Sequence, residues 1–376
     1  MWYGFCMKTV ILTDSKYRSA ISAARMFGRA GYHVVAVQTR EDAPVKPPAF
    51  ASRYVAEARG ICGTARDAEY PERLLSLARE YDRPVIFPVG VATLDVLSRN
   101  RETFEQCADF LVSPPDVLAA LNDKEEVHRR AARLGLNVPK EYDGEQPDEF
   151  PVILKPHCGE KLGLKAADRY TIARDRSEYD RALKAMRQYD PSPVVQQVVT
   201  GDGGGVCLLM DKNSRLLDAF CHRRLREYPI SGGPSTCCES VYDPQKINEA
   251  FRLLRAFRFV GLAMVEYKGD HILEVNPRVW GSFPLTALAH SSIAVRYAEA
   301  ASGREVSYSP RCDYDVGVRM RFQINDTLAA LSLYRHGQRD AARAALYDRF
   351  LIPDAFEDPD DPRPARAYLR STLTRL

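Results

Sequence analysis

The sequence predicts a mixed fold: an α/β unit, then an α+β unit of antiparallel sheets, then a helical C-terminal stretch. Three observations carry this expectation. Residues 8–113 alternate apolar or β-branched runs with segments of helical spacing, which implies a parallel, doubly wound sheet. From about residue 150, strand-like runs follow one another in hairpin succession, interrupted by two amphipathic helices. From about residue 313 the chain reads as helical and Arg-rich, and it passes through a Pro/Asp run at 354–364.

In the first unit, 9–13, 33–38, 84–89 and 110–112 read as strands, and 19–30, 71–81 and 92–104 as helices. The first strand ends at Asp14, Ser15 and Lys16 with no G-x-G-x-x-G, so the unit is Rossmann-like in topology without a dinucleotide fingerprint. Open α/β sheets bind ligands at this end of a strand, but Asp14 or Ser15 could equally cap a helix, and both readings stay open. Phe87 to Gly90, after a later strand, has the same status. A helix over 123–134 stops at Gly135, ahead of Pro139. Beyond an acidic link at 143–148, strands are expected at 151–156, 171–173, 194–199, 206–210 and 216–220. Helices are expected at 177–188 and 244–257, and 279–302 reads as mainly helical. The implied domains are 1–114, 115–199, 200–310 and 311–376.

Composition narrows the function. A chain of 376 residues, 45% apolar and 27% charged, has core enough for two or three globular domains. A net charge of +3 gives no nucleic-acid surface. No apolar run approaches the roughly 18 residues of a membrane helix. The opening residues lack the plan of a signal peptide, and Met7 is a second candidate start beside Met1. Nine cysteines without a C-x-x-C pair favour reduced thiols and a cytoplasmic location over disulfides or zinc. The adjacent Cys237 and Cys238 read as two unpaired thiols.

The chemistry concentrates at 265–278. Two short strands flank a Lys268-Gly269-Asp270 turn, so Glu266 and Glu274 face each other, and Asn276 shares their face two residues on. Paired carboxylates on a hairpin are commonly a solvated edge. Two carboxylates plus an amide oxygen, continued by the fork of Arg278, suit Mg²⁺ and a phosphate better. Upstream, an apolar strand ends in Lys155-Pro156, followed by a loop with Gly159, Lys161 and Gly163. Such a loop can cradle a phosphate or simply be a solvated turn. The strand containing Gln196, Gln197 and Val199 runs into Gly201 and reads equally as buried strand or as a hinge. Arg224 and Arg226, on a strand after His222 and Arg223, can bind carboxylate or acyl-phosphate oxygens, or be a basic edge that deters aggregation. Ser235 and the glycines before it would shape a pocket, and Trp280 reads as core.

The order of these motifs resembles the ATP-grasp superfamily over roughly residues 8–310. The sequence is Asn122-Asp123-Lys124, then Leu154-Lys155-Pro156, a glycine loop, Gln196 to Gly201, Glu266, and Glu274-x-Asn276-x-Arg278. The resemblance implies ATP held between two α+β subdomains, with Mg²⁺ (or Mn²⁺) bridging its phosphates. It gives Lys124 and Lys155 the phosphate-contacting roles, and Gln196 the place of a glutamate that faces the adenine amino group. Gln197 and Val199 become backbone partners of adenine. Glu266, Glu274 and Asn276 become metal ligands, and Arg278 the phosphate or oxyanion arginine. The glycine loop lacks the Ser-rich stretch of D-alanine ligases.

The implied reaction activates a carboxylate as an acyl phosphate and joins it to an amine or thiol. Small-molecule substrates are the expected partners, with no nucleic acid or membrane, and a homodimer is common among relatives. A nucleotide-binding regulatory module without turnover, and a phosphotransferase that stops at a phosphorylated product, are the competing readings.

Overall fold

The computed structural model describes residues 8–42, 46–142, 146–156, 170–230 and 233–373. A four-stranded parallel sheet comes first: β1 (Thr9–Leu12), β2 (His33–Thr39), β3 (Glu57–Ile61) and β4 (Val85–Phe87), in the order β3-β2-β1-β4. Alternate side chains of β1 serve opposite layers. Val10 and Leu12 pack in the cluster that holds Ala20, Ala24 and Phe27 of helix Arg18–Arg29. Ile11 packs with Leu74 of helix Tyr70–Ala78 and Leu97 of helix Val91–Arg99. The segment 110–112, expected as a strand, is buried but does not pair in the sheet; the residue before it, Asp109, makes one isolated parallel bridge to Val85.

A three-stranded antiparallel sheet follows, β5 (Val152–Lys155), β6 (Thr171–Ala173) and β7 (Val194–Gln197), in the order β6-β5-β7. Helix Arg176–Met186 packs on it, and Val152, Leu154, Tyr179, Ala182 and Val195 belong to its separate core.

The largest sheet is antiparallel, with strands β8 (Gly203–Met210), β9 (Leu216–Glu227), β10 (Ser235–Val241), β11 (Gly261–Lys268), β12 (His271–Asn276) and β13 (Arg319–Arg321). Their order is β12-β11-β8-β9-β10-β13. Here the structure departs from the sequence expectation. β9 runs on through its basic half to Glu227, because β10 pairs with that half. The C-terminal stretch contains helices Gln323–Arg335, Arg339–Tyr347 and Arg363–Leu373, and also supplies β13, which covers the edge of β10.

The C-terminal stretch then returns to the first unit. The buried Arg25 donates to the Asp361 carboxylate at 3.0 Å and to the carbonyls of Phe356 and Asp361 at 3.1 and 2.8 Å. Two large apolar clusters each mix residues of the parallel sheet and the six-stranded sheet. Among the described residues, no helix is long and apolar enough to cross a membrane, and Cys237 and Cys238 are free and buried.

Candidate active site

The hairpin of β11 and β12 forms the centre. Gly269 supplies the left-handed conformation of its turn, with φ of 54°. Glu266 pairs directly with Glu274 across the strands. Asn276 donates to Glu274 Oε1 at 3.0 Å, and Arg278 donates to Asn276 Oδ1 at 3.0 Å. The two carboxylates sit in different electrostatic environments. Burial and the nearby Glu274 raise the Glu266 carboxyl above its ordinary range, although Arg224 donates to it at 2.9 Å. Burial acts on Glu274 in the same direction, but the Lys124 ammonium 2.6 Å away prevails and holds that carboxyl below its usual range.

A facing carboxylate pair with one member destabilised as an anion is a donor set suited to a divalent cation. Among the described residues, no group of three or more His, Cys, Asp or Glu gathers as a metal cage. Glu266, Glu274 and the Asn276 amide oxygen could hold a cation that takes further oxygens from phosphate, as Mg²⁺ does.

The two lysines reach this centre from other elements. Asp123 caps helix Lys124–Arg133 by accepting from the backbone of Glu125 and Glu126 at 3.0 and 3.2 Å, which sets Lys124 in the first turn. Lys155 ends β5 and donates to Gln196 Oε1 on β7. Burial pulls the Lys155 ammonium down to about 8. Lys124 pushes the same way, and Glu141 and Glu274 oppose it. The sequence-distant Lys124, Lys155, Glu266, Glu274, Asn276 and Arg278 thus share one electrostatic neighbourhood.

Gln197 accepts Lys140 as a backbone partner, donating to its carbonyl at 2.8 Å, and Val199 lies just past β7, half-buried. Gly159, Lys161 and Gly163 lie outside the described residues.

The arginines separate. Arg224 joins the site through Glu266 and Glu227, with a further bond to the Gly233 carbonyl. Arg226 does not. Its Nε and one terminal nitrogen bind the two oxygens of buried Asp326 at 2.8 Å each, and its other terminal nitrogen reaches Asp348. Register shifts between β9 and β10 at Ser235, Cys237 and Cys238 break the simple two-residue alternation that would pair its fate with that of Arg224. Arg223 binds Glu239 on the neighbouring strand, and His222 is buried against Ser282 at 2.9 Å. Trp280 is fully buried, and Ser235 bonds the Cys237 carbonyl. Asp14 caps no helix with its side chain; its carboxylate accepts from Thr13 and from the Gly90 amide at 3.0 Å.

Three contributors have no place in the motif reading. Gly203, Gly204 and Gly205 pair opposite Lys268, Tyr267 and Glu266. A Cβ on Gly204 would meet the His222 carbonyl at 2.7 Å, and one on Gly205 the His222 ring at 2.6 Å. The glycine run in the sequence was the available signal, since consecutive strand glycines mark close approach. His128 and Glu141, bonded to each other at 2.9 Å, lie behind Lys155 and carry no motif at all.

No protein-family model matches the chain, and no curated protein matches its sequence. Solved structures do match in fold. The biotin carboxylase domain of Hydrogenobacter thermophilus 2-oxoglutarate carboxylase, solved with MgADP, ADP and bicarbonate, superposes with a TM-score of 0.60 at 15% identity, over 83% of this chain and 73% of that one. The chain has the ATP-grasp fold. An L-amino acid ligase from Bacillus licheniformis shares this ATP-grasp architecture with a TM-score of 0.53 at 13% identity, covering 78% of this chain and 74% of that one. The ADP complex of N5-carboxyaminoimidazole ribonucleotide synthetase does so at 0.57 and 15%, over 88% and 85%.

Proposed function

We propose that this chain is an ATP-dependent ligase that activates a small-molecule carboxylate as an acyl phosphate and joins it to an amine, releasing ADP and phosphate. The observation that carries the reading is the meeting of Lys124, Lys155 and the Glu266–Glu274 pair at one hairpin in an ATP-grasp fold. Mg²⁺, when bound, would screen the phosphate charge as substrate oxygen approaches phosphorus. Glu266, Glu274 and Asn276 are the residues to hold it, and Lys124 must then release Glu274 and turn to phosphate.

The remaining work is positioning and electrostatics. Lys155 neutralises phosphate oxygens from the end of β5. Arg278, oriented by Asn276, and Arg224, oriented by Glu227 and Glu266, present guanidinium groups to the carboxylate or to the developing acyl phosphate. Attack of the carboxylate oxygen on the γ-phosphorus forms the new P–O bond, and ADP leaves with the electrons of the broken one. The amine then displaces phosphate from the acyl carbon. The backbone of Gln197 and Val199 faces the adenine beside Gln196, whose amide stays bonded to Lys155 and Glu141; Gly159, Lys161 and Gly163 are further candidate phosphate contacts, and the working form is a cytoplasmic homodimer.

The test is ADP release over a panel of amino acids and other carboxylates, with hydroxylamine as the trap. A hydroxamate is expected. Phosphorylated product with no hydroxamate favours a phosphotransferase, and no ADP release with any substrate leaves only a nucleotide-binding module. At a hundredfold excess over Kd, ATP with Mg²⁺ should add about 2.7 kcal/mol to the unfolding free energy; an unchanged melting temperature counts against nucleotide binding.

A further inference from the structure

Lys155 and Glu274 stand on different sheets, and a run of side chains joins Lys155 to the backbone carbonyl of Leu273, next to Glu274. His128 lies four residues after Lys124 on the same helix, so both face β12. Lys124 meets the Glu274 carboxylate, while His128 Nε2 lies 3.0 Å from the adjacent Leu273 carbonyl. On its other side, His128 Nδ1 lies 2.9 Å from Glu141 Oε1. That oxygen also accepts from Gln196 Nε2, and Gln196 Oε1 accepts from the Lys155 ammonium. An isolated bridge between Glu141 and Gln196 ties the backbones together at the same point. His128 is buried, 5% exposed, and Gln196 is buried beside it, while Glu141 is half-buried, so these bonds are partly sheltered from water.

We infer that His128 is a positioning residue for nucleotide binding: through Glu141 and Gln196 it holds Lys155 as an unneutralised cation facing the phosphate site. The inference rests on the ligase reading only in taking Lys155 as a phosphate contact.

Proton counting supports it. The Leu273 carbonyl only accepts, so Nε2 carries a proton. Nδ1 faces a carboxylate, so a second proton lies between His128 and Glu141. The Glu141 charge is thereby met by the imidazole, and the hydrogen-bond partner of Lys155 is a neutral amide. Without the imidazole, Glu141 becomes a half-buried carboxylate without a counter-charge, one amide away from Lys155. It would then compete with phosphate for that ammonium.

The experiment is calorimetric titration with ADP, with and without Mg²⁺, on the full chain and on His128→Ala, His128→Phe, Glu141→Gln and the His128→Phe/Glu141→Gln pair. Melting temperature without nucleotide is followed in parallel. The His128 variants should bind ADP about tenfold more weakly or worse, as expected when a half-buried charge loses its partner. Glu141→Gln should stay within about twofold, because glutamine can accept from Gln196 and donate to the Nδ1 of a neutral imidazole. The double variant should recover most of the affinity lost by His128→Phe.

A purely structural His128 would lower the melting temperature and leave the affinity of the folded chain unchanged, which overturns the assignment. A double variant no better than His128→Phe also overturns it. Where the His128 variants do not fold, Glu141→Gln decides alone, and a tenfold loss there overturns the assignment. A wild-type chain that binds no ADP removes the ligase reading together with this inference, whereas these variant outcomes on a binding wild type remove the inference only.

Discussion

Single residues set the chemistry, and Lys155 makes the sharpest demand. Its ammonium titrates near 8 in the folded chain, well below an ordinary lysine. Below that pH the folded and unfolded chains both carry the proton, and the cost of burying the charge is fully present. As pH rises from about 8 toward the ordinary lysine value, the folded chain loses its proton first and the cost is relieved. Phosphate favours the charged form. ADP binding near pH 8 should therefore take up a proton, and affinity should fall as pH rises further; calorimetry in buffers of different ionisation enthalpy reads this directly. Zero uptake would place phosphate away from Lys155. Lys155→Ala and Glu274→Ala should each lower ADP release more than about a hundredfold with little change in melting temperature, because in the proposed reaction one would anchor phosphate and the other metal. Either variant retaining full turnover would mean the chemistry lies elsewhere.

That Glu274, Asn276 and Arg278 lie together in the candidate site was legible, because their types stand at fixed two-residue spacings on one strand face. His128 and Glu141 were not, because a buried support residue needs only one correct neighbour in space. Arg226 misled for the opposite reason: a guanidinium serves a buried aspartate as well as a substrate, and only the bulge in the β9–β10 pairing distinguishes it from Arg224.

At the scale of elements, the hairpin tip meets the chain leaving β7. Gly269 donates to the Asp202 carbonyl at 2.9 Å, and a Cβ on Gly269 would lie 2.7 Å from the Thr200 carbonyl. Gly201, with φ of 112°, packs against Gly269 in the same way. Gly269→Ala should cost about 1–3 kcal/mol, from strain and from the crowded carbonyl. Urea denaturation measures it, and a neutral result would show that the loop yields freely.

Strands with apolar runs were readable from sequence. β3 was missed because its residues Glu57, Ala58, Arg59 and Gly60 resemble a turn, and as an edge strand it buries only Ile61. β10 was missed because Cys237 and Cys238, fully buried, serve as small apolar residues among Ser, Thr and Glu.

At the scale of the whole molecule, the C-terminal stretch fastens the first unit to the six-stranded sheet. Asp361, 1% exposed, accepts from Arg25, from Ser52 Oγ at 2.7 Å and from the Arg53 amide at 2.9 Å. Asp361→Ala leaves Arg25 buried without its carboxylate and should cost about 3–5 kcal/mol. A denaturation midpoint within error of wild type would show that Asp358, 3.4 Å from Arg25, suffices.

The separate core of the three-stranded sheet has a consequence for motion. The parallel sheet and the six-stranded sheet share their apolar interior and should unfold together, whereas Val152, Leu154 and Val195 pack in a small cluster of their own with Tyr142, Tyr179 and Ala182. The jaw that bears Lys155 is therefore tied to the anvil that bears Glu274 by a few polar and backbone links, the His128–Glu141 bond and the Gly269–Asp202 bond among them, and not by a common core. Backbone amides of β5 and β7 should exchange with solvent deuterium well before those of β8 and β11, and nucleotide should slow the first group alone.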